Sequence, residues 1–121
     1  MTDVALPALS FAAGTILGRP ILERAEAVAA GGFAATSCFV GDVVAWEASG
    51  RPLGELRTEM EARGAPVEAL LPILDWHPCW DPARPTGIAA LRGGPHVGAT
   101  QADALRWADA LGARTITLVG P

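Results

Sequence analysis

Residues 75–81, with the sequence DWHPCWD, hold a large share of the side chains in this chain that can do chemistry. His77 could serve as a metal ligand or as a general acid/base, with the carboxylate of Asp75 orienting its ring. Trp76 and Trp80 could form the walls of a pocket and stack on the apolar face of a sugar. The alternative is a loop whose aromatic rings cover the edge of the fold and whose polar groups are solvated.

The two cysteines give weaker signals. Cys79 could be a thiolate ligand or a nucleophile, but His77 is the only nearby group that could activate it, and reactive cysteines need an electropositive setting. A structural thiol is therefore the favoured interpretation of Cys79. Cys38 lies within an apolar stretch and is predicted to belong to the core.

A phosphate site is a further possibility in the C-terminal part of the chain. His96 lies in a glycine-containing segment, residues 93–98, which lacks the glycine spacing of phosphate-binding loops. The backbone amides of residues 100–103, at the start of a predicted helix, are the better candidate for an anion, although Asp103 already supplies negative charge there. Arg19 could bind an anion, but a surface charge is the favoured interpretation.

A repeated unit predicts the elements that position these residues. An amphipathic helix, a glycine and an apolar strand follow one another three times, after an opening strand at residues 9–15. The predicted helices are residues 21–30, 53–63 and 101–111, and the strands after them are residues 33–39, 67–74 and 114–119. This β-α-β-α-β-α-β pattern indicates an α/β fold with a parallel sheet and right-handed crossovers.

Details within these elements are also predicted. In the first helix Ile21, Ala25 and Val28 should face inward, with Glu23, Arg24 and Glu26 turned elsewhere. Residues 41–47 are expected to form a short helical turn. Pro72 lacks a backbone donor and should mark a bulge or the end of the third strand.

In parallel α/β folds, ligands bind at the carboxyl ends of the strands. Residues 14–15, 37–38, 75–77 and 120–121 come at these ends. Thr15 and Trp46 are therefore predicted to join Trp76 and Trp80 in binding substrate, although packing is an equally good interpretation of Trp46.

Composition excludes several classes of function. The formal net charge of −4 argues against nucleic acid and anionic membranes as partners. All nine basic residues are arginines, so Schiff-base chemistry and a phosphate-loop lysine are excluded. Two cysteines in a chain without export features suggest reduced thiols. No apolar run approaches the length of a membrane span. A cytoplasmic protein from a GC-rich bacterial gene is therefore expected.

At 121 residues the chain is at most one domain, whereas a closed (β/α) barrel needs roughly 250 residues. Residues 1–121 are therefore expected to form half of a barrel, with four strands and three helices. An open half would expose two strand edges and apolar surface. Self-association or pairing with a complementary half-barrel chain is the expected consequence.

Three stretches together resemble the N-terminal half of the sugar phosphate isomerase/epimerase family, the xylose isomerase-like TIM barrels. LSFAAGT at residues 9–15 runs into a helix ending AGGF at residues 30–33. LLPILDW at residues 70–76 is similar to the L-x-P-x-R-D-[FW] pattern of dehydroshikimate dehydratase-like members, with Leu74 in place of arginine. ADALGART at residues 108–115 is similar to the A-x-x-L-G-A-x-x segment that leads into strand four.

The resemblance implies a divalent metal (Mn²⁺, Mg²⁺, Co²⁺ or Zn²⁺) at the carboxyl end of the barrel. There the metal would polarise a substrate hydroxyl and carbonyl while acidic residues move a proton. Most metal ligands of the family are expected beyond Pro121, and His77 is the residue to which the histidine ligand of the related endonuclease IV branch carries over. The acidic net charge disfavours DNA as the substrate.

The expected function is thus half of a metal-dependent isomerase or epimerase acting on a small polyhydroxylated substrate. It is expected to be inactive alone, with His77 and Asp75 as catalytic residues. Two alternatives stay open: a non-catalytic small-molecule-binding or assembly module, and a dehydroshikimate dehydratase-like lyase. A binding domain with an open flavodoxin-like sheet is disfavoured by the long third connection and by the lack of a phosphate-loop glycine pattern.

Overall fold

The computed structural model of this chain describes residues 8–16, 18–73, 81, 83 and 99–118. Within this part, four parallel strands form one sheet in the order β1-β2-β3-β4. The strands are β1 (Ser10–Phe11), β2 (Ala35–Phe39), β3 (Val67–Ile73) and β4 (Thr115–Leu118). The helices are α1 (Ile21–Ala30), α2 (Val40–Ala48), α3 (Leu53–Ala62) and α4 (Gln101–Leu111), and a 3-10 turn spans Ala13–Thr15.

The strand order confirms the parallel α/β prediction and separates it from the flavodoxin-like alternative. A doubly wound sheet reverses its strand order at a switch point. Here each strand lies beside the next one in the sequence, without reversal among the described strands. This is the arrangement of strands in a barrel.

The two faces of the sheet have different environments. Cys38 and Leu70, which are register partners, are fully buried and belong to the core formed with the helices. Successive residues of a strand point to opposite faces, so Ser37, Ala69 and Thr115, which are also register partners, form a row on the other face. Along this row burial decreases from Ser37 to the exposed Thr115. In a closed barrel that second face is the interior.

Three of the helices end in the same way before the chain enters the next strand. At the end of α3 the Gly64 N–H donates to the Glu61 carbonyl (3.0 Å) and the Ala65 N–H to the Met60 carbonyl (3.0 Å). This pair of bonds is the Schellman motif, which places a left-handed residue after the helix, and Gly64 has a φ of 76°. The ends of α1 and α4 repeat these bonds around Gly32 and Gly112. The repeated helix–glycine–strand unit is therefore confirmed.

The first strand is shorter than predicted. Residues 9–15 do not form one strand, because pairing with β2 is limited to Ser10–Phe11 and the chain then turns. The Thr15 N–H donates to the Ala12 carbonyl (2.9 Å), and this bond closes the 3-10 turn.

The segment after β2 is more regular than predicted. Residues 41–47 lie within α2, a nine-residue helix that begins directly at the end of β2. The Asp42 carboxylate accepts a hydrogen bond from the Phe39 N–H (3.0 Å), which satisfies a donor at the helix start. Two helices, α2 and α3, therefore connect β2 to β3.

The irregularity expected at Pro72 is present. The register between β3 and β4 shifts between Leu70 and Ile73, and the Leu71–Pro72 peptide bond is cis. The shift places both Leu70 and Ile73 in the core, although strict alternation would separate them.

Candidate functional site

The carboxyl edge of the sheet is formed, in the described part of the chain, by the 3-10 turn after β1 and by the start of α2 after β2. The segment after β3 begins at residue 74 and lies outside the described residues until Asp81. The described geometry of the site therefore comes from two connections, the one after β1 and the one after β2.

A buried hydrogen bond attaches the turn that carries Thr15 to β2, since the Ala13 N–H donates to the Ser37 hydroxyl (2.7 Å). A partly buried bond from the Thr36 hydroxyl to the Phe11 carbonyl (3.1 Å) joins β2 to the last residue of β1. Thr15 itself is exposed at the end of the turn. Its role in binding substrate stays a prediction. The position of Thr15 is determined by the turn to which it belongs.

A largely buried ion pair joins α1 to α2. Arg24 on α1 is only 5% exposed, and its guanidinium pairs with the carboxylate of Asp42 on α2. The same guanidinium donates to the Arg19 carbonyl (2.8 Å) and lies 5.5 Å from the centre of the Phe39 ring. The prediction that Arg24 turns away from the core is therefore wrong. Arg24 is three residues after Ile21 and four before Val28, so it shares their helix face.

Arg19 has an exposed side chain, 3.7 Å from the carboxylate of Glu23. The favoured interpretation of Arg19 as a surface charge agrees with these contacts. Its backbone carbonyl, and not its guanidinium, is the group that the buried network uses.

Cys38 is buried next to this ion pair, as the core prediction required. Its thiol lies 3.9 Å from the Asp42 carboxylate. Burial, and then the nearby Asp42 charge, raise the pKa of the Cys38 thiol well above its usual range, although Arg24 acts in the opposite direction. A protonated thiol is a poor nucleophile and a poor metal ligand, so Cys38 serves packing.

Trp46 is held by packing contacts. It is 9% exposed, and its indole N–H donates to the Pro52 carbonyl (3.0 Å). The guanidinium of Arg51 lies 3.9 Å from the centre of its ring, in a cation–π contact. These contacts match the packing interpretation of Trp46, and its role in binding substrate stays a prediction.

A second charged link joins α2 to α4. The Glu47 carboxylate accepts hydrogen bonds from the Arg106 guanidinium (2.6 Å) and from the indole N–H of Trp107 (3.2 Å). The hydrogen bond from Arg106 is the main reason why the pKa of Glu47 is lowered, and the same bond raises the pKa of Arg106. The ion pair in this link is a contact between exposed or half-exposed side chains of α2 and α4.

The start of α4 is closed by its own side chains. The Thr100 hydroxyl accepts from the Asp103 N–H (3.2 Å), and the Asp103 carboxylate accepts from the Thr100 N–H (3.1 Å). This reciprocal pair is a capping box with aspartate at the position where glutamate is common. Hydrogen bonds from the backbone and side chain of Thr100 lower the pKa of Asp103. The negative charge of Asp103 therefore occupies the end where an anion would bind.

Several predicted site residues lie outside the described residues. They are Asp75, Trp76, His77, Cys79, Trp80 and His96. Asp81 is described, is exposed, and accepts a hydrogen bond from the Ala83 N–H (2.9 Å). In the described part of the chain, no three or more His, Cys, Asp or Glu side chains are grouped to hold a metal ion. The predicted metal thus depends on residues outside that part.

Sequence reasoning missed two contacts: the ion pair between Arg24 and Asp42, and the buried Ser37 hydroxyl that accepts from the Ala13 N–H. For Arg24 the signal was present, because its spacing from Ile21 and Val28 places it on the apolar stripe. For Ser37 no local pattern indicates a buried hydroxyl, since its partner Ala13 is 24 residues away.

No family model matches this chain, and no curated protein matches it. Among solved structures, it is similar to a protein described as a xylose isomerase-like TIM barrel/4-hydroxyphenylpyruvate dioxygenase fusion protein. The TM-score is 0.62 at 18% sequence identity, and the match covers 90% of this chain and 15% of that protein. At this identity the similarity concerns the fold. The chain has a parallel α/β fold of the TIM-barrel type, consistent with half of a barrel.

Among the helices of the described residues, none combines the length and the apolar character needed to cross a membrane.

Proposed function

We propose that this chain supplies four strands of a TIM-barrel enzyme that acts on a small polyhydroxylated substrate at the carboxyl edge of its sheet. The observation that supports this most strongly is the sheet order β1-β2-β3-β4, which is unreversed as in a barrel. Because all pairs are parallel, the carboxyl ends of the four strands lie at one edge. The chemistry-rich segment at residues 75–81 begins two residues after β3 ends. In TIM barrels the active site is formed by the segments that follow the strands.

In this proposal the reaction is an isomerisation or epimerisation by proton transfer. His77 moves the proton and Asp75 orients its ring, while Thr15, Trp46, Trp76 and Trp80 contact the substrate. A divalent metal, bound with the help of His77 and of ligands outside these 121 residues, would supply polarisation of the substrate carbonyl. The described residues themselves do not offer a set of metal ligands.

A non-catalytic binding or assembly module is the second candidate, and exposed apolar side chains at the outer strands favour it. Leu9, directly before β1, is 61% exposed, and Leu118, the last residue of β4, is 51% exposed. These leucines would suit pairing with a second copy or a complementary half barrel.

A Mn²⁺ titration of the assembled barrel, formed by two copies of this chain or by this chain with a complementary half, tests the first candidate, with the two histidines as a matched pair. We expect His77→Ala to weaken Mn²⁺ binding by at least about tenfold, the loss typical even of an outer-sphere partner. His96→Ala should leave the affinity unchanged. Isothermal titration gives the affinities. Paramagnetic broadening of backbone amides should be strong at Thr15 and weak at Ala65, since Ala65 precedes the amino end of β3.

Light scattering of the same sample, with metal analysis of the same peak, separates the two candidates. Stoichiometric Mn²⁺ lost in His77→Ala supports the enzyme. A metal-free chain that forms a defined dimer supports the assembly module, and equal binding by both histidine variants contradicts the role of His77.

A further inference from the structure

One buried guanidinium contacts two separate connections at the carboxyl edge. Arg24 donates to the carbonyl of Arg19, in the segment that joins the 3-10 turn to α1. It also pairs with Asp42, whose carboxylate caps the start of α2 through the Phe39 N–H. A single side chain thereby ties the connection after β1 to the connection after β2.

The burial of this pair needs an explanation beyond stability. The Arg24 side chain is 6% exposed and that of Asp42 is 16% exposed. Removing two charges from water costs several kcal/mol per ion, and apolar residues of similar volume often stabilise a fold as well or better. An apolar pair cannot fix the relative orientation of two connections. The planar guanidinium can, because it fixes the positions of two acceptors at once.

We propose that Arg24 is a positioning residue, which fixes the segment before α1 against the start of α2 and so sets the location of Thr15 at the site. This inference rests on the proposed function, because it assigns Thr15 to the substrate-binding wall. The turn itself is held from the other side by the bond between Ala13 and Ser37. Thr15 therefore lies between two anchors, one before it and one after it.

The test compares a variant of the buried pair with one of an exposed pair. Arg24→Met combined with Asp42→Asn removes both charges, so that no unpaired charge stays buried, and the asparagine can still accept from the Phe39 N–H. The control is Arg57→Met, which breaks the exposed i,i+4 pair between Arg57 and Glu61 (2.8 Å). Both variants are made in the full chain.

The first measurement is the ¹⁵N order parameter of the Gly18 and Arg19 amides. In the double variant we expect a fall from about 0.85, typical of rigid backbone, to below about 0.6. Leu56 and Met60 in α3 should keep their values. The control should change none of them. Unchanged values at Gly18 and Arg19, or an equal fall in α3, would overturn the proposal.

If the double variant does not fold, Arg24→Lys takes its place. Lysine keeps a charge beside Asp42 but lacks the fork that reaches two acceptors at once. Gly18 and Arg19 should again lose order. Full order at these amides in the lysine variant would overturn the role of the guanidinium.

A second measurement tests the position of Thr15. With Mn²⁺ bound, the broadening of the Thr15 amide should differ at least twofold between wild type and the double variant, while the Mn²⁺ affinity stays the same. Equal broadening would overturn the positioning role. If wild type binds no Mn²⁺, the metal-dependent function fails, but the order parameters still decide whether Arg24 fixes this segment.

Discussion

Segments that enter the strands and segments that leave them are fixed by different kinds of contact. The connections into β2, β3 and β4 all begin with the same two backbone hydrogen bonds around a glycine. The two connections out of the strands that the structure describes differ: a 3-10 turn follows β1, whereas α2 starts directly after β2. One edge of the sheet is built from a repeated backbone motif, and the described part of the other edge from individual side chains.

This difference between the two edges of the sheet bears on where a functional site can form. A backbone motif that needs only a glycine can be repeated without regard to neighbouring side chains. Side chains such as Ser37 and Arg24 hold one particular connection in one particular place. Functional residues of TIM barrels lie on the second kind of connection, where each loop can differ from the next.

The largest effect that bears on this comparison is expected from Ser37→Ala. The change removes the acceptor of the Ala13 N–H, and Ala13 is 1% exposed. Leaving a buried donor without a partner costs about 1–3 kcal/mol, so the free energy of unfolding should fall by that amount. Urea unfolding followed by circular dichroism measures it.

Ser49→Ala is the matched control for this prediction. The Ser49 hydroxyl donates to the Trp46 carbonyl (2.6 Å) at the exposed end of α2. Water can replace that bond, and the change should stay within about 0.5 kcal/mol. Equal losses in the two serine variants would mean that the turn after β1 does not depend on Ser37.

A smaller effect is expected from Gly64→Ala at the opposite edge. The added Cβ would meet only the Ala29 Cβ at 3.7 Å, an ordinary contact, so the cost comes from the φ of 76° alone. A left-handed conformation costs an L-residue about 1–2 kcal/mol. The unfolding midpoint in urea should fall accordingly.

Gly54→Ala, in the first turn of the same helix, is the control. A Cβ there meets nothing within 4 Å, and the residue lies in the right-handed helix. Alanine should therefore keep or raise stability, by up to about 1 kcal/mol. If Gly64→Ala proved as harmless as Gly54→Ala, the glycine at the helix end would not be what fixes these turns.

The repeated edge was predictable from the sequence and the varied edge was not. Gly32, Gly64 and Gly112 stand where apolar helical periodicity stops, so α1, α3 and α4 could be located to within one residue at their ends. Periodicity is a local property, and the Schellman motif is satisfied within one short segment.

At the carboxyl edge the deciding contacts join residues far apart in sequence. Ala13 and Ser37 are 24 residues apart, and Arg24 and Asp42 are 18 apart. No local pattern indicates that the opening strand stops at Phe11, because its end is set by pairing with β2 and by the Ser37 hydroxyl. The residues of segment 75–80 that are predicted to take part in catalysis or binding lie outside the described residues, so this part of the site stays a prediction.

The smallest effect on stability is expected at the charged link between α2 and α4. The pH dependence of this effect distinguishes a side-chain contact from a backbone motif. Arg106 lowers the pKa of Glu47 below its ordinary value of 4.5 in the folded chain. The resulting stabilisation is therefore fully present above pH 4.5 and is lost as the pH falls through the folded pKa.

The Glu47 side chain is 34% exposed, so Glu47→Gln should cost less than about 1 kcal/mol at pH 7. Glutamine can still accept from the indole N–H of Trp107, which restricts the change to the charge. The difference in urea midpoint between wild type and Glu47→Gln should shrink between pH 5 and pH 3, whereas the difference for Gly64→Ala should not change with pH. A constant difference for Glu47→Gln over that range would mean that α4 is held by packing of Trp107 and not by its charged partner.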